Sequence, residues 1–292
     1  MDRRRGPGSA GAVTGEFQPL FIAESRPELV FGVATVEQDE LVLSSTMPVR
    51  SFHAGPDGTV AAGSLGVLID NVIGYAAMLH RPVDHWSVTT EMSVDLCRPL
   101  PSFGAVRAVG VAEHTSGHGS ISSGRILDDS GRLLGLCRQH ARFIEQLPPA
   151  TLSGEVGDAP LPSGQPGATV LDLLHATLRP DAGVSTLDWV SGIDTSNPLG
   201  NVHGGITLCA AEIAGSSAIR SVSPGLVTAS IHVCYLRAIP AGTALRFTGT
   251  CTHPGRSFAV AHVKATGPDE RLYATATITA GVRGADEIVE DE

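Results

Sequence analysis

Lysine is nearly missing from this sequence: Lys264 stands alone, and the 20 basic residues are outnumbered by 30 acidic ones, for a formal net charge of −10. That balance argues against broad nucleic-acid binding, though not against a local cluster of arginines holding one phosphorylated ligand. Cysteine is sparse as well. Five, widely spaced and without a C-x-x-C pair, indicate neither a disulfide framework nor a zinc site, and are expected as small core residues. No apolar run approaches the ~18 residues of a spanning helix, and the Arg/Gly/Pro start lacks an apolar targeting segment, so a soluble, cytoplasmic chain without membrane contact is expected. There is no G-x-S-x-G elbow, phosphate-binding G-x-x-x-x-G-K loop or H-E-x-x-H pair. Gly6–Gly11 spells G-x-G-x-x-G, but no strand precedes it and no helix follows. His114 and His118 lie in a glycine-rich turn and make poor metal ligands, so no metal site is expected.

What is present is a globular chain of 292 residues with 42% hydrophobic residues and a mean hydropathy of +0.13. Residues 1–15 read as a flexible arm, and 146–168, rich in proline and glycine, as a linker between domains at 16–145 and 169–284, before an acidic tail at 285–292. The two parts repeat each other. Each holds a glycine-opened apolar helix with a lone carboxylate seven residues after its glycine: Asp70 after Gly63, Glu212 after Gly205. A strand ending in arginine and proline follows, at 88–101 and 227–240, with Thr89 matching Thr228 and Arg98 matching Arg237. Further strands are expected at 105–113, 120–127 and 133–144, and at 244–251, 258–265 and 272–282, with His114 and His253 at matching corners.

A helix that is apolar nearly all round must be buried on most sides. A curved antiparallel sheet wrapped around one central helix meets that need, with Val88, Thr90, Met92, Val94 and Leu96 facing the helix. The threonines then fall on the opposite face. The fold class is α+β.

The stretch richest in chemistry is Asn197-Pro198-Leu199-Gly200-Asn201-Val202-His203-Gly204-Gly205, leading to Glu212. A helix entered through two glycines presents backbone N–H groups that a substrate can approach, and its dipole favours negative charge there. A carboxylate two turns along an apolar helix is partly desolvated and becomes a stronger base. Together these suit attack of water on a polarised carbonyl.

The run N-x-x-G-x-x-H-G-G, followed by an acid and then by a threonine-headed strand ending near Arg-x-x-Pro, resembles the hotdog-fold acyl-CoA thioesterases of the phenylacetate-pathway (PaaI-like) group. The chain looks like two such domains fused. The resemblance implies an acyl-CoA substrate, with coenzyme A as part of it and no separate cofactor. Asn197 and Gly204 would bind the carbonyl, His203 would shape the loop, Asp70 or Glu212 would activate water, and Thr89 or Thr228 would orient it. Gly205, Arg98 and Arg237 are the candidates for holding the coenzyme. In such enzymes the site lies between two hotdog domains. Here Gly55, Ala61 and Ala62 replace Asn197, His203 and Gly204 in the first half, which implies one complete site: Asn197, His203 and Gly204 with Asp70 and Thr89. The Glu212–Thr228 site would be weak or dead unless nearby His53 substitutes.

Plainer readings stand beside these. Asp70 and Glu212 can cap a loop or pair with arginine, Asn197-Pro198 can be a simple turn, the glycines can serve tight packing, and the arginines can be solvated strand ends. A non-catalytic acyl-thioester binder and an enoyl-CoA hydratase remain alternatives, the latter without the Asp/His loop that it needs. Pairing of such units into a homo-oligomer through wet sheet faces is ordinary.

Overall fold

A computed structural model describes residues 25–145 and 167–282. The arm at 1–15, the tail at 285–292 and nearly all of the linker at 146–168 lie outside these residues. The first half runs α1 (Arg26–Phe31), β1 (Glu37–Asp39), β2 (Val42–Pro48), α2 (Gly66–Met78), β3 (Trp86–Leu96), β4 (Ala105–Thr115), β5 (Gly119–Asp128) and β6 (Leu133–Ile144). The second repeats it: α3 (Val170–Leu173), β7 (Thr177–Asp181), β8 (Val184–Val190), α4 (Gly204–Arg220), β9 (Leu226–Tyr235), β10 (Ala244–His253), β11 (Phe258–Thr266) and β12 (Leu272–Val282). The short α1 and α3 were not anticipated. Both open on a capping box, Ser25 with Glu28 and Thr169 with Asp172, in which the acid accepts hydrogen bonds from the N-cap residue.

All strands join one antiparallel sheet of 12, in the order β1-β2-β4-β5-β6-β3-β9-β12-β11-β10-β8-β7. The halves meet where β3 pairs with β9, from Glu91 opposite Cys234 to Asp95 opposite Ser230. Ser93 there faces its own counterpart, His232, so the pseudo-twofold axis passes through that rung. Each long helix packs on its own half of the sheet and the two touch each other. Burial on nearly every side explains their composition: α4 buries every residue from Gly205 to Ile219, and α2 buries all of its apolar residues.

The helix starts cross at glycine. A Cβ on Gly205 would lie 2.3 Å from the Gly66 carbonyl carbon, and one on Gly66 would lie 2.5 Å from the Gly205 oxygen. Backbone against backbone leaves nothing flexible to yield. Gly205→Ala is therefore expected to force the halves apart and cost at least about 2 kcal/mol, seen as a lowered midpoint in a thermal melt. An unchanged midpoint would mean that the crossing is looser than drawn.

Register departs from simple alternation at two matching places. A bulge in β3 sets Thr89 opposite Ala141 and Glu91 opposite His140, leaving Thr90 as the extra residue; in β9 Thr228 and Ser230 face Ala280 and Thr279, leaving Ala229. Each bulge shifts the alternation by one. Thr89 and Thr228 consequently turn toward the helices, on the side of buried Met92, Val94, Ile231 and Val233, which corrects the face read from alternation. His114 and His253 also adjoin matching irregularities, in β4 and β10. The cysteines are free but not all in the core: Cys137 and Cys209 are buried, Cys234 and Cys251 half-buried, and Cys97 exposed. Among the described residues no helix is long and apolar enough to cross a membrane.

Candidate active site

A cavity of about 420 Å³ opens at the seam between the halves. Its floor is the start of α4. The loop before α4 is closed by its own backbone: Asn197 N–H donates to the Asn201 carbonyl at 2.7 Å and His203 N–H to that of Thr195 at 2.8 Å. The Asn197 side-chain oxygen accepts from Leu199 N–H at 3.0 Å and Asn201 N–H at 3.2 Å. Its Nδ2 makes no hydrogen bond among the described residues, and the residue lines the cavity. Asn197 is thus both a turn-former and a side chain with donors to spare. Gly204 N–H is likewise unpaired among the described residues.

Asp70 reaches this helix start from α2. Its Oδ2 accepts from Gly205 N–H at 3.0 Å and lies 3.3 Å from His203 Nδ1, while its Oδ1 accepts from the Thr89 hydroxyl at 3.3 Å. A Cβ on Gly204 would stand 2.6 Å from Oδ2, so only glycine admits the carboxylate here. His203 caps α4, its Nδ1 accepting from Gly205 N–H at 3.0 Å, and its Nε2 lies 3.4 Å from Glu28 Oε1. Burial pushes the Asp70 carboxyl above its usual value, against the opposing influence of His203, Gly205 N–H and Thr89. Burial by itself would lower the His203 imidazole, but the carboxylates of Asp70 and Glu28 outweigh it and hold the ring above its usual value.

Three side chains of this cavity were not singled out from the sequence. Gln139 on β6 is 1% exposed, and its Oε1 has no hydrogen-bond partner among the described residues. The position where a Gly74 side chain would begin lies 3.7 Å from Asp70 Oδ1 and 3.9 Å from Gln139 Nε2, so bare Gly74 leaves open space facing both. A polar residue inside the inward series Cys137, Gln139, Ala141, Phe143 was the available signal. Tyr235 donates to the Gly204 carbonyl at 3.0 Å, and burial followed by the nearby Asp70 charge holds its phenol well above the usual value. Glu28 is signalled only as part of a capping box.

Two family models match the chain: the acyl-CoA thioesterase C-terminal domain over residues 38–143 and the thioesterase superfamily over 199–274. The chain belongs to the thioesterase superfamily. It is a thioester hydrolase built as a tandem hotdog protein. A putative thioesterase from Novosphingobium aromaticivorans is similar over 85% of this chain and 98% of its own, at 14% identity and a TM-score of 0.59. A TesB protein of Mycobacterium avium subs paratuberculosis matches over 87% and 98%, at 12% identity and a TM-score of 0.59. An acyl-CoA thioesterase II, TesB2, from Mycobacterium marinum matches over 89% and 98%, at 12% identity and a TM-score of 0.56. At those identities the likeness is one of fold. A comparison with curated proteins found no match.

A smaller cavity of about 150 Å³ is the counterpart of the first in this thioesterase. Its loop has the same backbone closure, Gly55 N–H donating to the Thr59 carbonyl at 2.7 Å and Ala61 N–H to that of His53 at 2.9 Å. Glu212 sits as Asp70 does, its Oε2 3.4 Å from Gly63 N–H and its Oε1 accepting from Thr228 at 2.6 Å. The surroundings differ. Gly55, Ala61 and Ala62 stand where the first cavity has Asn197, His203 and Gly204, Ser216 stands in place of Gly74, and Ile278 stands in place of Gln139.

The remaining candidates fall elsewhere. His53 does not reach the second cavity; it is 1% exposed between Phe31 and Phe52, with Nδ1 accepting from Arg50 N–H at 3.0 Å, and burial lowers its imidazole pKa. Its place is the core, so it does not stand in for the missing side chains. Gly205 is sealed in the helix crossing and its N–H is already given to Asp70 and His203, which leaves it no surface for a coenzyme. Arg237 lines the larger cavity and donates to the Leu272 carbonyl at 2.6 Å. Arg98 lines the smaller one, donating to that of Leu133 at 2.7 Å, so the two arginines do not converge on one ligand. No group of three or more His, Cys, Asp or Glu among the described residues is placed to hold a metal ion.

Proposed function

We propose that the larger cavity hydrolyses thioesters of coenzyme A, the coenzyme entering as part of the substrate, and that the Glu212 cavity is inactive. The observation that carries this reading is the Asp70 carboxylate, delivered by one half to the start of α4 in the other, beside the unpaired donors of Gly204 and Asn197. The thioester oxygen accepts from Gly204 N–H and Asn197 Nδ2, donors held in place before the negative charge develops. Water donates one hydrogen to Asp70 Oδ1 and the other toward Gln139 Oε1 in the space left by Gly74, with Thr89 steadying the carboxylate. Its oxygen attacks the carbonyl carbon as Asp70 takes the proton. When the carbon–sulfur bond breaks, the thiolate recovers that proton from Asp70, giving a free acid and coenzyme A thiol.

A buried base with a raised pKa works at neutral pH only once ionised, so kcat/KM is expected to rise with pH through a value above the usual carboxylate range. Release of thiol from a panel of acyl-CoA substrates, followed against pH, tests this. Saturable binding with no thiol released would favour the binding-module alternative, and addition of water to an enoyl-CoA would favour the hydratase. In this reading Arg237 meets the coenzyme, which its position on the wall of the larger cavity supports.

A further inference from the structure

Glu28 comes from outside both hotdog motifs, yet its side chain ends in the larger cavity against His203. The short helix that carries it is fastened to the other half. Arg26, 8% exposed, binds Asp194 Oδ1 through Nε and Nη2, both at 2.6 Å, and Asp194 belongs to the turn just ahead of the Asn197 loop. One residue of α1 therefore grips that loop while another meets its histidine.

We infer that Glu28 is a positioning residue for hydrolysis: its Oε1, 3.4 Å from Nε2, holds the His203 ring with Nδ1 toward Asp70 and Gly205 N–H, and so fixes the carboxylate against the start of α4. This inference rests on the hydrolytic reading above. Three observations converge on it.

First, the two oxygens of Glu28 do different work. Oε2 accepts from the Ser25 N–H at 3.1 Å and from the Ser25 hydroxyl, completing the helix cap, while Oε1 is left for His203. Second, the repeat supplies an internal control. The matching box at α3 has Asp172, exposed, hydrogen-bonded to Thr169 and near only the surface His175 of its own segment, where the loop of the opposite half offers Ala61 in place of a histidine. The longer acid is found where there is an imidazole to reach. Third, the two carboxylates flanking this imidazole are driven apart in acidity. Burial works to raise Glu28, but the hydrogen bond and charge of His203, with help from Ser25, hold it below the usual value, while Asp70 is held above. Glu28 stays anionic as Asp70 takes the proton. The charged and titratable groups facing His203 are Glu28 from α1 and Asp70 from α2, with Tyr235 of β9 beside Asp70.

The test compares the intact chain with Glu28→Gln, Ser25→Ala, His203→Ala and the double variant, using thiol release from an acyl-CoA, thermal melting, and an NMR titration of the His203 ring. Glu28→Gln should lower kcat by roughly tenfold with little change in KM, and move the ring titration to lower pH; on the His203→Ala background it should cost nothing further in kcat. Ser25→Ala, which loosens the cap alone, should lower the melting point without moving the titration. An unmoved titration in Glu28→Gln, or a loss of kcat that persists without the histidine, would reduce Glu28 to a helix cap and overturn the inference. If the wild-type chain releases no thiol at all, the hydrolytic reading fails, while the titration still reports whether Glu28 governs the ring.

Discussion

Asp70→Asn is expected to lower kcat for thiol release by roughly 10² to 10⁴, the range for loss of a positioned general base. Glu212→Gln is expected to leave most of the activity in place. Both acids sit on matching turns of matching helices, and each accepts from a threonine and faces a glycine N–H across the seam. What differs is the company they keep. Asp70 faces Asn197, His203 and Gly204 and shares open space with Gln139, whereas Glu212 faces a loop carrying Ala61 and Ala62, with Ile278 where the glutamine would be. A carboxylate in that second setting has no side-chain amide to help polarise a carbonyl and no glutamine to aim a water. The reverse result, with Glu212→Gln abolishing turnover, would sink the assignment of the working site. The asparagine variant should also lose the rise of kcat/KM with pH that is assigned to Asp70.

Asn197→Asp separates the two duties of that residue. The new carboxylate keeps an oxygen for Leu199 and Asn201 N–H, so the turn persists, but the Nδ2 donor becomes an acceptor facing the thioester oxygen. Loss of one oxyanion donor costs about 10² to 10³ in kcat, and a fixed negative charge in its place adds to that. The melting point should stay near that of the parent. Activity retained in Asn197→Asp would return the residue to a plain turn role and leave Gly204 as the remaining donor.

Much of this was legible beforehand. The repeat, the strand and helix identities, the lone carboxylates and the damaged first-half loop are patterns of neighbouring residues, and local conformation follows local pattern. The meeting of Asp70 with the start of α4 across the seam was expected from the resemblance together with the damage: with Gly55, Ala61 and Ala62 in place of Asn197, His203 and Gly204, the intact loop lies only in the other half. Each glycine reading found its own residue. Gly204 makes room for the carboxylate, and Gly205 makes room for a helix.

What only the tertiary structure decided concerns groups brought together from far along the chain. Alternation put Thr89 and Thr228 on the wrong face because one extra residue at Thr90 and at Ala229 reverses every side chain before it, and a bulge is set by strand pairing. Gln139 reads as an ordinary strand residue until β6 lays it beside Asp70, His53 turns from the site into the core between two phenylalanines, and Glu28, on a helix the sequence reading did not expect, meets His203 because Arg26 fastens α1 across the seam. Sequence by itself determined which elements form and which acid keeps a complete set of partners. The sheet register and the helix crossing decided which side chains meet, because those distances depend on packing between segments that no local pattern encodes.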